Sequence, residues 1–166
     1  MNERQRLFLV QARANHALFG VLRKEETLGR CHALYALQMA TELLGKAHAS
    51  RAGPVELSHR AFVPFLRTLS NNPKARDQLG YKGKNANWRH LLRKCEPLAE
   101  QIQKLAPSLA GDGPNAEYPW PKFPQEPTDA PAEFDFPLWH DLTETALGHQ
   151  FLQLLDRLFG VAEAYM

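Results

Sequence analysis

The chain has no apolar run approaching the roughly 18–20 residues that a membrane span requires. No spanning helix is expected. It has only two cysteines, Cys31 and Cys95, in 166 residues. Both fall in helix-patterned stretches and read as buried thiols in a reducing compartment. No His/Cys spacing resembles a zinc site, and on a helix Cys31 and His32 diverge. There is no phosphate-binding P-loop, no Gly-rich dinucleotide motif and no Ser-centred elbow. Neither a metal nor a cofactor is expected. The apolar stretch Leu7–Val10 is too short for a signal-peptide core, so a cytoplasmic protein is expected.

Charge is scarce in an uneven way. Residues 60–104 hold 10 Lys/Arg and only 3 Asp/Glu, a net of +7. Residues 105–166 hold 10 Asp/Glu and only 2 Lys/Arg, a net of −8. Such segregation marks either a nucleic-acid surface or two segments lying against each other. With 44% hydrophobic and 23% charged residues, residues 1–166 read as one soluble domain with a core of its own.

Helical periodicity dominates. A first helix is predicted over 2–23, with Asn2 as N-cap and Leu7, Val10, Ala14, Ala17, Leu18 and Val21 at helical spacing. A second is predicted over 28–50, capped by Thr27, with Leu34, Leu37, Ala40, Leu44 and Ala47 facing the core and Gly53-Pro54 as its stop. A third runs from Ser58 to Ser70, kinked or started late at Pro64. Gly80–Gly83 reads as a turn. A fourth helix covers 85–105, bent at Pro97. A fifth covers Pro137 or His140 to Ala164. Between them, 107–139 is rich in proline and aromatics. Disordered linkers are poor in aromatics, so Tyr118, Trp120, Phe123, Phe134, Phe136 and Trp139 argue for an ordered arm packed on the body. The expected fold is all-α: an antiparallel four- to five-helix up-and-down bundle carrying that long ordered loop.

The second helix, Leu34-Tyr-Ala-Leu-Gln-Met-Ala-Thr-Glu-Leu-Leu-Gly-Lys-Ala47, is similar to the second helix of HEPN-type domains. The resemblance implies a small helical bundle, often dimeric, of the kind found in prokaryotic defence and toxin–antitoxin systems. Ribonucleolytic members pair an Arg with a His, four to six residues lying between them; Arg holds phosphate while His exchanges a proton. None of His16, His32, His48, His59, His90, His140 or His149 has an Arg at that spacing. No catalytic residues are therefore expected. The implied role is a non-catalytic binding or assembly module that contacts a protein partner or a second copy, and RNA or a nucleotide. One alternative is a metal-independent ribonuclease, with His90 as acid/base and Arg89, Arg93 or Lys84 on phosphate. Another is a purely structural adaptor.

Three clusters stand out as candidates. Gln38, Glu42 and Lys46 lie at i, i+4, i+8 on one helix side, with Glu42 to Lys46 in the favourable order. They form either an exposed stripe, an interhelical network or a polar pocket. Lys74, Arg76, Lys82, Lys84, Arg89, Arg93 and Lys94 make the densest basic run, a candidate nucleic-acid surface with Tyr81 and Trp88 available for base stacking. Tyr118 and Trp120 anchor the arm or present a partner-binding epitope.

Overall fold

The computed structural model describes residues 1–25, 27–51, 59–111, 113–121 and 128–166. Its helices are α1 (Glu3–Leu22), α2 (Arg30–Ala49), α3 (Phe62–Leu69), α4 (Pro73–Gln78), α5 (Asn85–Gln103), α6 (Pro107–Ala110), α7 (Pro137–Thr143) and α8 (Ala146–Gly160), followed by a 3₁₀ turn at Ala162–Ala164. Among the described residues the fold is all-helical apart from one two-residue antiparallel pairing, β1 (Trp120–Pro121) with β2 (Thr128–Asp129), in which Trp120 faces Asp129.

Local chemistry explains most boundaries. The Asn2 side chain accepts from the Gln5 amide at 2.8 Å while Gln5 accepts from the Asn2 amide at 2.9 Å, a reciprocal capping box. α2 begins after Gly29 with no side-chain cap, so Thr27 does not act as predicted. α3 starts at Phe62, which puts Pro64 in its first turn, where a missing N–H costs nothing. The predicted start at Ser58 and stop at Gly53-Pro54 lie outside the described residues. Asn72 accepts from the Ala75 amide at 3.0 Å with Pro73 at the first helical position, so the Asn-Pro pair that ends α3 also opens α4. The turn after it places Gly80 and Gly83 at positive φ. Pro97 lies on the exposed side of α5, which runs on past it to Gln103.

The predicted last helix is two. Thr145 caps α8 by accepting from the Gly148 amide at 2.9 Å. Gly148 then sits against the Asp141 and Leu142 carbonyls, where no Cβ would fit. That close approach folds α8 back on α7.

α2 is the centre of the body, packing on α1, α3 and α5. Leu34, Leu37, Ala40, Leu44 and Ala47 are fully buried, as predicted, and so is most of the rest of the helix. Gly45 lies directly under the Ala61 carbonyl, which sets the α2–α3 approach. Phe62, Phe65, Trp88, Ile102, Phe151 and Leu155 fill the space around it. Cys31 and Cys95 are buried free thiols.

α1 departs from its pattern. Its buried residues are Gln5, Leu9, Ala12 and Phe19. Leu7, Val10, Ala14, Ala17, Leu18 and Val21, the stripe that marks the helix in the sequence, are exposed.

The arm is ordered over its described residues. Asn115 accepts from the Glu117 and Tyr118 amides, tying a turn. Trp120 packs edge-on to Phe134 at 5.3 Å, and Phe134 edge-on to Phe136 at 4.9 Å. Phe123 lies outside the described residues.

Candidate functional site

Two sites emerge, one buried and one open. The buried site is the polar line of α2. Gln38, Glu42 and Lys46 are 1%, 3% and 7% exposed, which rules out a solvated stripe. Glu42 Oε1 accepts from Lys46 Nζ at 2.5 Å. Its Oε2 accepts from Gln38 Nε2 at 2.7 Å and lies 2.6 Å from His59 Nδ1. Three donors thus converge on one carboxylate, the arrangement that makes a buried charge tolerable. Gln38 Oε1 has no partner among the described residues. Flipping the amide would set oxygen against oxygen, so the network itself fixes that orphan. His59 escapes a sequence reading because it joins from a different segment, seventeen residues away.

The arm lies over this line. Burial raises the Glu117 carboxyl above its ordinary value; nearby His59 lowers it and Glu42 raises it further. The Tyr35 hydroxyl is likewise raised by burial, then by Glu117, Tyr118 and Glu42. Tyr35, Glu117 and Tyr118, with His32 and Ala116, border an open hollow of about 300 Å³. Tyr118 is 61% exposed and stays available to a partner. Trp120, at 4%, does not; its ring is spent on Phe134 and Phe136.

The open site lies on α5. Helix geometry fans the predicted basic cluster around the axis instead of gathering it. Arg89 and Arg93 border a cavity of about 370 Å³ with Arg67 of α3, whose guanidinium is paired with Glu96. His90 and Lys94, one position on, border a different cavity of about 350 Å³ between α5 and α8. There they meet Tyr81, Asn87, Gln150 and Arg157. Arg157 was not a candidate, because it comes from the acidic third of the chain. Among the described residues bordering this cavity there is no carboxylate.

The other candidates go elsewhere. Lys74 borders a hollow with His48, Arg51 and Asn72. Arg76 is engaged by Asp77 and Asn85. Lys82 and Lys84 stand exposed in the turn before α5. Trp88 is 1% exposed, and its indole N–H donates to the Leu69 carbonyl at 2.9 Å, so it serves the core and cannot stack on a base. The quartet His90, Arg89, Arg93 and Lys84 is therefore not one site.

The acidic third packs on the basic middle through α7 and α8 against α5, without pairing its described charges there. Its described ion pairs reach the N-terminal third: Glu163 with Arg13 at 2.6 Å, Asp156 with His16 at 3.0 Å, and Asp135 with Arg30 at 2.7 Å. Among the described residues none joins 60–104 to 105–166. Nor do the described residues gather three or more His, Cys, Asp or Glu into a metal-sized group, and no described helix is long and apolar enough to cross a membrane. No family model, curated protein or solved structure matches the chain.

Proposed function

We propose that the chain is a HEPN-like binding module that holds phosphate-bearing ligand, single-stranded RNA in the first instance, in the α5–α8 groove. The observation that carries this is the meeting of His90, Lys94 and Arg157 around one cavity whose described lining holds no carboxylate. Two fixed cations and an imidazole suit phosphate oxygens, with Arg157 offering a guanidinium fork. Tyr81, half-buried beside Trp88 at 5.2 Å, supplies a ring edge for a base. A prokaryotic defence or toxin–antitoxin setting, with a protein partner, follows from the resemblance of α2 alone.

Fluorescence anisotropy with labelled single-stranded RNA tests the reading. Arg157→Glu and Lys94→Glu are each expected to weaken binding by about tenfold or more at low salt. Arg93→Glu, on the other side of α5, is expected to change it far less. Equal losses from all three would assign binding to diffuse charge and remove the groove.

The same cavity supports a second reading, a metal-independent ribonuclease. His90 would exchange the proton, and Lys94 and Arg157 would take the phosphate role first assigned to Arg89, Arg93 or Lys84. Cleavage that disappears in His90→Ala with RNA affinity intact would establish it. Binding without cleavage in the native protein leaves the binding module.

A further inference from the structure

Tyr35 is out of place on α2. The helix is buried along most of its length, yet Tyr35 is 38% exposed, and His32, one turn earlier, is exposed beside it. Residues at that spacing share a helix face. The arm comes down next to this face, where Ala116, Glu117 and Tyr118 complete the border of the 300 Å³ hollow.

The arm is held firmly there. Asn115 is buried and accepts from the Glu117 and Tyr118 amides at 3.0 and 2.8 Å. The Ala116 amide donates to the Leu105 carbonyl at 3.1 Å, which ties the turn to the segment just after α5. Pro114 and Pro119 restrict the backbone on either side. Glu117 and Tyr118 are thus set in place before a ligand arrives, which lowers the entropy lost on binding.

The hollow is rich in oxygen and holds no cation of its own. The Glu117 carboxylate and the Tyr35 and Tyr118 hydroxyls have no hydrogen-bond partner among the described residues. Neither Lys nor Arg is among the described residues that border the hollow. His59, whose charge draws the Glu117 carboxyl down, is committed through Nδ1 to Glu42 at 2.6 Å, and burial outweighs its effect. Glu117 is therefore an anion short of partners. Tyrosine rings attract cations over their faces, and an alkylammonium brings three N–H donors and no acceptor.

We infer that this hollow binds a primary ammonium group at the end of an alkyl stem, with Glu117 as its counter-charge and Tyr35 and Tyr118 as its aromatic walls. The hollow is open, so the stem leads out past Tyr118, as a lysine side chain of a protein partner would. It shares no bordering residue with the α5–α8 groove and stands or falls apart from RNA binding.

NMR titration of the full chain with Nα-acetyl-lysine methylamide tests this. The Glu117 and Tyr118 amide signals are expected to shift with a Kd on the order of millimolar. The norleucine analogue keeps the stem, lacks the ammonium and is expected to bind at least about tenfold more weakly. Glu117→Gln and Tyr118→Leu are each expected to weaken the lysine analogue by a similar factor of about ten, with an unchanged urea midpoint showing that the fold is kept. Cadaverine and a lysine-containing peptide separate the sources of the ammonium. Tighter binding of the peptide assigns the hollow to a partner's side chain; equal or tighter binding of cadaverine assigns it to a free amine. No shift at Glu117 and Tyr118 up to about 50 mM ligand overturns the inference. So does a norleucine analogue that binds equally well, or an affinity that either substitution leaves unchanged.

Discussion

Replacing Glu42 with leucine removes the acceptor on which Lys46, Gln38 and His59 converge. His59 can turn its one-third exposed side chain to water, but the Lys46 side chain is only 8% exposed. An ammonium stranded in that setting costs about 3–5 kcal/mol. Small domains have only about 5–15 kcal/mol to lose. With a urea dependence of about 2 kcal/mol per molar, the unfolding midpoint falls by about 2 M. Adding Lys46→Met removes the stranded charge, and the double variant recovers to within about 1–2 kcal/mol of the native chain, since paired buried charges are often replaceable by apolar side chains together but not singly. Urea titrations followed by circular dichroism give all four corners of the cycle. A single-variant shift below about 0.5 M, or a double variant no better than Glu42→Leu, would show that the three donors are not confined around that carboxylate.

Three further outcomes follow from the packing. Gly45→Ala places a methyl group into the Ala61 carbonyl and is expected to lower stability by about 1–3 kcal/mol, read from the same urea titration. Burial, helped by the Arg51 charge, holds the His48 imidazole below its ordinary value, and burial does the same to His16 against the opposing pull of Asp156. The unfolded chain then binds protons near pH 6.5 that the folded chain refuses, so stability falls as pH drops below about 6.5; His48→Leu should shrink the difference between midpoints at pH 7.5 and 5.5. Burial pushes the Cys95 thiol up to about 12 and raises Cys31 as well, so neither should react with Ellman's reagent at pH 8 until denaturant is added.

The helical body was legible because its signals are local. Asn2 announces a capping box, Leu34 through Ala47 keep their spacing, and the aromatics of the arm outweigh its prolines. What was not legible depends on long-range geometry. Thr145 and Gly148 divide the last helix through a cap and a close backbone approach that periodicity ignores. The outer stripe of α1 carries the same period as a core face, and only the placement of α2 and α8 tells the two apart. Gln38, Glu42 and Lys46 were recognisable as a line, but its burial depends on the helices packed on α2, and its completion on His59. The basic run from Lys74 to Lys94 looked like one patch in sequence. A helix turns about 100° per residue, so Arg89 and His90 open onto different cavities. Arg157 joins His90 only through the packing of α8 on α5.

The dependence of RNA affinity on salt bears most directly on the α5–α8 groove. For the native chain, log affinity against log salt should be linear, with a slope of about −1.5 to −2 for two or three phosphates held on a single strand. Lys94→Glu or Arg157→Glu should flatten it by about 0.7 for each phosphate no longer neutralised. A native slope near zero, or one that neither substitution alters, would contradict phosphate binding between α5 and α8.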